Sequence, residues 1–250
     1  MAAIAFYTSL PVPPHWSLDF RYVSRMAPVV GLVLGGILVA LDWGLMVVGM
    51  PILPRSALVV ATWLALTGGL HMDGAMDTAD GLAVMNPERR LAVMADSATG
   101  AFGAMVAVVI LGLKWASLSS LDNTLVTRMV GLLLTPMWGR WGQQVAIAAY
   151  PYLKPTGKGA FHKAAFPSLW LVVGSGISCA LLSLGIWMMV NPAIAPGDFW
   201  RIGGRVGGAI AIAVATGIWF KAKLGGHTGD TYGAVVEWTE AGLLMLLTTC

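Results

Sequence analysis

Long apolar runs alternate along the chain with short polar segments. Residues 27–50, 52–70, 101–121, 129–150, 168–190, 204–220 and 234–250 each come close to the roughly 20 mostly apolar residues that a membrane-spanning helix needs. The pattern predicts an all-α fold: a polytopic membrane helix bundle of about seven transmembrane helices, one domain over residues 1–250. Gly31/Gly35, Gly203/Gly207 and Gly204/Gly208 stand at the small-xxx-small spacing that lets helix backbones approach closely in lipid. The polar segments are 71–100, 151–167 and 221–233. Seven spans would put all of them on one face, together with the N-terminus.

Composition agrees with lipid as the main solvent. The chain is 57% hydrophobic and 11% charged, against about 25% charged for an average soluble domain. The opening MAAIAFYTSLPVPP has no basic n-region and meets proline early, so it is not laid out as a signal peptide. A net charge of +3, scattered over short loops, is no nucleic-acid footprint. Cys179 and Cys250 make neither a disulfide framework nor a metal-ligand spacing. The eleven tryptophans suit anchoring at membrane interfaces. Arg21, Arg25, Arg89, Arg90, Lys154, Lys158, Lys163, Lys221 and Lys223 fall on the face of the polar segments, against Arg55, Arg128, Arg201 and Arg205 opposite. By the positive-inside rule the richer face is cytoplasmic. Within spans, Lys114 is placed to snorkel to an interface, and Arg140 is expected in the bundle interior beside an anionic group. Asp42, at a span end away from the polar segments, is expected to tolerate substitution.

The chemistry gathers in two segments. In GGLHMDGAMDTADG, residues 68–81, helical spacing puts Asp73, Asp77 and Asp80 within about 60° of each other on one stripe. Carboxylates this close repel unless a cation sits among them. Oxygen ligands suit a hard divalent ion, Mg2+ in particular, which keeps waters and takes substrate phosphates as further ligands. The second segment, KAKLGGHTGDTYGAVVEWTE, carries Asp230 and Glu237 on one helical face, with Glu240 a turn further on. Its glycines, with Thr228 and Gly229, form a backbone that can cradle a phosphate. Both segments join Gly-Gly to a histidine and then to Asp-Thr, a faint internal repeat. Asp73, Asp77, Asp230 and Glu237 are the expected metal ligands, converging within reach of one or two cations. Asp80 or His71 is the expected proton acceptor, with His227 in a supporting or base role. Arg89, Arg90, Asp96, Ser97, Arg140 and Lys158 complete the expected substrate contacts.

These motifs resemble a known family. GGLHMDGAMDTADG followed by MADSATGAFG, the element LGGHTGDTYGAVVEWTE and the N-terminal FYTSLPVP are similar, in order and spacing, to motifs of the cobalamin synthase family, the adenosylcobinamide-GDP ribazoletransferases. Ser9, Ala92 and Ala98 depart from that pattern, where basic, acidic and basic residues are common. The resemblance implies transfer from adenosylcobinamide-GDP to α-ribazole or its 5′-phosphate, with GMP released, Mg2+ as cofactor and the bacterial inner membrane as location. Two other enzyme classes use aspartate clusters with Mg2+. A CDP-alcohol phosphotransferase would show Asp-Gly-x-x-Ala-Arg, and a prenyltransferase an Asn-Asp-x-x-x-Asp pair; neither stands here. A cation transporter would carry acids at mid-span in several helices rather than at one face beside Arg and Lys.

Overall fold

The structure is a computed structural model that describes residues 1–13, 15–121, 125–154, 159–164, 166, 168–190 and 196–249. The described residues form α1 (Ala2–Tyr7), α2 (Ala27–Val47), α3 (Ile52–Leu66), α4 (Leu70–Ala83), α5 (Pro87–Val93), α6 (Ala101–Ser120), α7 (Leu125–Ala149), α8 (Ala160–Ala164), α9 (Leu169–Val190), α10 (Pro196–Leu224) and α11 (Gly229–Leu247). A 3-10 turn, Val23–Met26, leads into α2. Among these residues the one extended contact is an isolated bridge between Tyr152 and His227.

Each expected span coincides with a long helix: α2, α3, α6, α7, α9, α10 and α11. Four stretches are long and apolar enough to cross a membrane unaided: Val23–Val47, Ala101–Ser120, Leu169–Val190 and Gly197–Leu224. A fifth arises if α3 and α4 count as one broken span, since they meet at 88°. Gly68 (φ +59°) and Gly69 (φ +72°) make that corner, in the left-handed backbone region that side chains disfavour. The chain is therefore a multi-pass membrane protein.

The two remaining long helices, α7 and α11, are less apolar because they form the centre of the bundle and bury their polar groups against protein. Arg128 of α7 is fully buried and holds Asp42 of α2 through Nε at 2.9 Å and Nη2 at 2.6 Å. Its Nη1 donates to Ser56 Oγ at 3.1 Å and to the Leu118 carbonyl. Arg55 Nε lies 3.5 Å from the same carboxylate. Asp42 is thus the centre of a buried ion cluster and not a tolerant span end; removing one partner of such a pair costs about 3–5 kcal/mol. Lys114 is likewise buried instead of snorkelling, with Nζ 2.7 Å from Glu237 Oε2 and 2.6 Å from Glu240 Oε2. Arg140 has the anionic neighbour expected of it, Glu240 Oε1 at 3.0 Å. Arg55, Arg128 and Arg205 are all buried, so they do not load the opposite face with exposed charge.

Gly31 and Gly35 bring α2 onto α7: a Cβ on either would run into the backbone of Pro136 or Leu133. Gly203, Gly204 and Gly207 meet nothing within 4 Å, and Gly208 alone of that stretch touches a neighbouring helix, at Leu246.

Candidate active site

The start of α4 crosses the start of α11. Each helix contributes a glycine to the crossing. A Cβ on Gly74 would lie 2.5 Å from the Asp230 carbonyl oxygen, and one on Gly233 2.8 Å from the His71 carbonyl oxygen. Backbone therefore rests on backbone, and the segments that share the Gly-Gly…Asp pattern meet almost reciprocally. Thr228 caps α11: its Oγ1 accepts the Thr231 N–H at 3.3 Å, while Thr231 Oγ1 accepts the Thr228 N–H at 2.8 Å. Asp73 and Asp230 each occupy a first helical turn, where the helix dipole favours negative charge.

The crossing brings Asp77 among Asp73, Asp230 and Asp80, with Lys154 the basic neighbour. Asp73 is exposed, and Asp77 and Asp230 are half-buried. Asp230 Oδ2 accepts from Lys154 Nζ at 3.2 Å and from Thr228 Oγ1 at 3.1 Å. Asp77 makes no side-chain hydrogen bond or ion pair with the described residues. Among the described residues no group of three His, Cys, Asp or Glu side chains is arranged to hold a metal ion by protein ligands alone. Lys154 engages Asp230, and Asp73 stands out in solvent. The donors are nevertheless all carboxylate oxygens, with more negative than positive charge among them. That fits a hard cation whose shell is completed by water and phosphate oxygens.

Glu237 lies about two turns further along α11 than Asp230, where its Oε2 faces the Lys114 ammonium rather than the aspartates. Asp80 is also committed elsewhere. Its Oδ2 accepts the Gly100 N–H at 2.7 Å and its Oδ1 the Gly103 N–H at 2.8 Å, capping the N-terminus of α6. His71 is buried, its ring stacked on Tyr7 at 5.8 Å, and neither ring nitrogen has a hydrogen-bond partner among the described residues. It points into the bundle and not along the aspartate stripe.

His227 is a scaffold residue. The Gly217 carbonyl can only accept, so Nε2, 3.1 Å away, carries the proton and Nδ1 accepts from Thr231 Oγ1 at 3.0 Å. Burial pushes its pKa down to about 4, so the ring is neutral near pH 7. Its backbone exchanges 2.8 Å bonds with Pro151 and Leu153, which pins the 151–154 loop beside α11 and sets Lys154 in place.

Of the other expected contacts, Arg89 is exposed on α5. Arg90 is tied by Nε to the Val84 carbonyl at 3.2 Å and by Nη1 to the Lys223 carbonyl at 3.1 Å. Asp96 accepts the Ala98 N–H at 3.1 Å, and Ser97 is exposed. Thr228 is buried in its cap, and Gly229 is exposed as the first residue of α11. Arg140 is fully buried, so it takes no part in an open site. Lys158 lies outside the described residues. Lys154 was not singled out from sequence; the signal was its place four residues before Lys158 in the same basic loop.

A family model described as cobalamin-5-phosphate synthase matches residues 1–248. The chain belongs to the cobalamin-5-phosphate synthase family. It is 57% identical over 249 residues to the adenosylcobinamide-GDP ribazoletransferase of Trichormus variabilis, covering 99% of this chain and 95% of that one. The protein of the same name from Synechocystis sp. is 50% identical, with 98% and 92% covered. That from Desulfitobacterium hafniense is 39% identical, with 98% and 93% covered. No solved structure matches the chain.

Proposed function

We propose that the chain is an adenosylcobinamide-GDP ribazoletransferase of vitamin B12 biosynthesis whose reaction centre is the crossing of α4 and α11. The observation that carries this reading is the uncommitted Asp77 carboxylate, with Asp73 and Asp230 beside it and Lys154 held against Asp230. It occurs in a chain of the cobalamin-5-phosphate synthase family. The reaction joins adenosylcobinamide-GDP to α-ribazole, or to its 5′-phosphate. A ribazole hydroxyl attacks the phosphorus on the corrinoid side, a new P–O bond forms, and the P–O bond to GMP breaks. The products are adenosylcobalamin, or its 5′-phosphate, and GMP.

Mg2+ would be held by Asp73, Asp77 and Asp230, and when bound it neutralises charge on the diphosphate. Lys154, with Nζ 3.2 Å from Asp230 Oδ2, supplies an ammonium for the phosphates. Arg89, exposed on α5, extends that anion-binding surface. The hydroxyl proton passes to the carboxylate cluster, in which Asp73 and Asp77 make no side-chain bond to the described residues. Asp80 contributes indirectly, by fixing the loop before α6 against α4.

The chain sits in the bacterial inner membrane with this end cytoplasmic. Support comes from exposed Arg21, Arg25, Arg89, Lys221 and Lys223 near the polar segments, set against one exposed arginine, Arg201, and buried Arg55, Arg128 and Arg205 on the other side. Met85→Cys, at a position 95% exposed, should stay unlabelled by an impermeant thiol reagent in intact cells. Labelling from outside would reverse the orientation. The activity is tested with purified protein in nanodiscs given adenosylcobinamide-GDP, α-ribazole and Mg2+. GMP should appear in step with the corrinoid product, stop on chelation and resume when Mg2+ is restored. No GMP with all three present would refute the reading.

A further inference from the structure

A second feature of the same end of the bundle takes no part in this chemistry. A cavity of about 580 Å3 lies between α4, α6, α10 and α11, within the range of small-molecule sites. Phe102, Trp219, Phe220 and Trp238 form its walls, and Thr78 and Ala79 belong to its α4 side. On α4, positions 78, 79 and 82 point more than about 90° away from 73 and 77 at helical spacing. The cavity and the aspartates therefore lie on different sides of α4.

The lining tells what kind of molecule fits. Thr78 Oγ1 is spent on the Gly74 carbonyl at 2.6 Å. Thr216 Oγ1 is spent on the Ala213 carbonyl at 2.9 Å and on Thr239 at 3.1 Å. The remaining polar groups of the lining are the indole N–H groups of Trp219 and Trp238, and tryptophan is the side chain that membranes favour at headgroup depth. Nothing else there would orient a polar heterocycle, whereas a hydrocarbon chain needs only apolar walls. The cavity spans the first turns of α6 and the last turns of α10, both long enough to cross a membrane. It therefore lies near one end of the spans. Phe102 and Trp219 are 55% and 49% exposed, so it opens sideways.

Its rim is cationic. Lys223 Nζ stands 5.8 Å from the Trp219 ring centroid, one turn beyond it on α10. Arg90 is clamped to the Lys223 carbonyl through Nη1 and to the Val84 carbonyl through Nε, which leaves Nη2 free of those two bonds. We propose that this cavity binds an acyl chain of an anionic phospholipid, with the lipid phosphate seated between Lys223 and Arg90. The inference rests on the membrane placement of the helices and not on the transferase reading, so either can fail without the other.

The test uses the full chain in nanodiscs of phosphatidylcholine and phosphatidylglycerol, with native mass spectrometry after gentle release. One phosphatidylglycerol per chain should be retained in preference to phosphatidylcholine. Lys223→Glu, at an exposed position, should cut that preference by about tenfold, since each surface cation contributes a few-fold to anionic-lipid binding. Ala79→Phe, which puts a ring into the cavity from its α4 side, should reduce the retained lipid. A phosphatidylglycerol with a photoreactive acyl chain should label peptides containing 102–106 and 216–220. The proposal is overturned if labelling scatters over exposed faces such as that of α9, if Lys223→Glu leaves the preference unchanged, or if excess α-ribazole displaces the retained lipid.

Discussion

Asp80 and Asp77 stand three residues apart on one stripe of α4, and the structure gives them different surroundings: Asp80 is bonded to backbone, and Asp77 makes no side-chain bond to the described residues. Asp80→Asn tests this. Both carboxylate oxygens of Asp80 accept backbone N–H groups, at 2.7 Å from Gly100 and 2.8 Å from Gly103. Hydrogen bonds to a charged group contribute about 1.5–3 kcal/mol each. The amide keeps one acceptor but turns an NH2 group against the other N–H, and it loses the favourable charge at the α6 N-terminus. The same contacts supply all of these effects, so they do not simply add, and a loss of about 3 kcal/mol is expected. For a chain of this length that corresponds to a melting temperature lower by roughly 6–12 °C. Gly103→Ala should reproduce the fall with the carboxylate intact, because its Cβ would stand 2.5 Å from Asp80 Oδ2. The assay pairs intrinsic-fluorescence melting in detergent with GMP release measured well below the melting point and normalised to folded protein. Asp80→Asn should melt early yet retain activity within about tenfold, while Asp77→Asn should melt near the wild type and lose turnover. Wild-type melting of Asp80→Asn with turnover abolished would make Asp80 the proton acceptor and refute the capping argument.

Further outcomes follow from the buried charges. Asp42→Asn should destabilise by about 3–5 kcal/mol, because it leaves Arg128 buried against a neutral partner; the fraction of protein recovered folded from membranes checks it, and Asp42→Leu combined with Arg128→Met should recover part of the loss. Lys114→Met strands Glu237 and leaves Glu240 only its bond to Arg140, so its melting temperature should fall and adding Glu237→Gln should restore some of it. Burial pushes His227 and His162 down to about 4 from 6.5, so the folded chain stays neutral there while the unfolded chain takes up protons. Their contribution is complete above pH 6.5 and is lost as pH falls towards 4; His162→Phe should therefore flatten the acid-side fall in melting temperature, and an unchanged slope would contradict this.

Much of the bundle is legible from hydropathy, because α2, α6, α9 and α10 face lipid and carry little else. The charges buried at its centre, on α7 and on the inner face of α6, are harder to read. Arg128 and Lys114 look like a loop arginine and a snorkelling lysine in one dimension, and only the packing of α2 and α11 against them supplies Asp42, Glu237 and Glu240 as partners. The aspartate stripe is visible from spacing, and so is the glycine approach to Asp230. Spacing cannot tell which member of the stripe turns towards Gly100 and Gly103, so Asp80 was read as a reactive group. Lys154 is visible only as one more basic residue of its face, and its contact with Asp230 is not, because its position depends on backbone bonds between His227 and the 151–153 loop, contacts between segments more than 70 residues apart.

The central claim is that α4 and α11 form one centre for the diphosphate. GMP release by Asp73→Ala, Asp230→Ala and the double variant, at saturating Mg2+ and against a no-enzyme background, tests it most directly. Groups that act as a unit give strongly non-additive losses. The account predicts that either single change costs about as much as both together. Single losses that multiply in the double variant would contradict it and separate the two helices into independent sites.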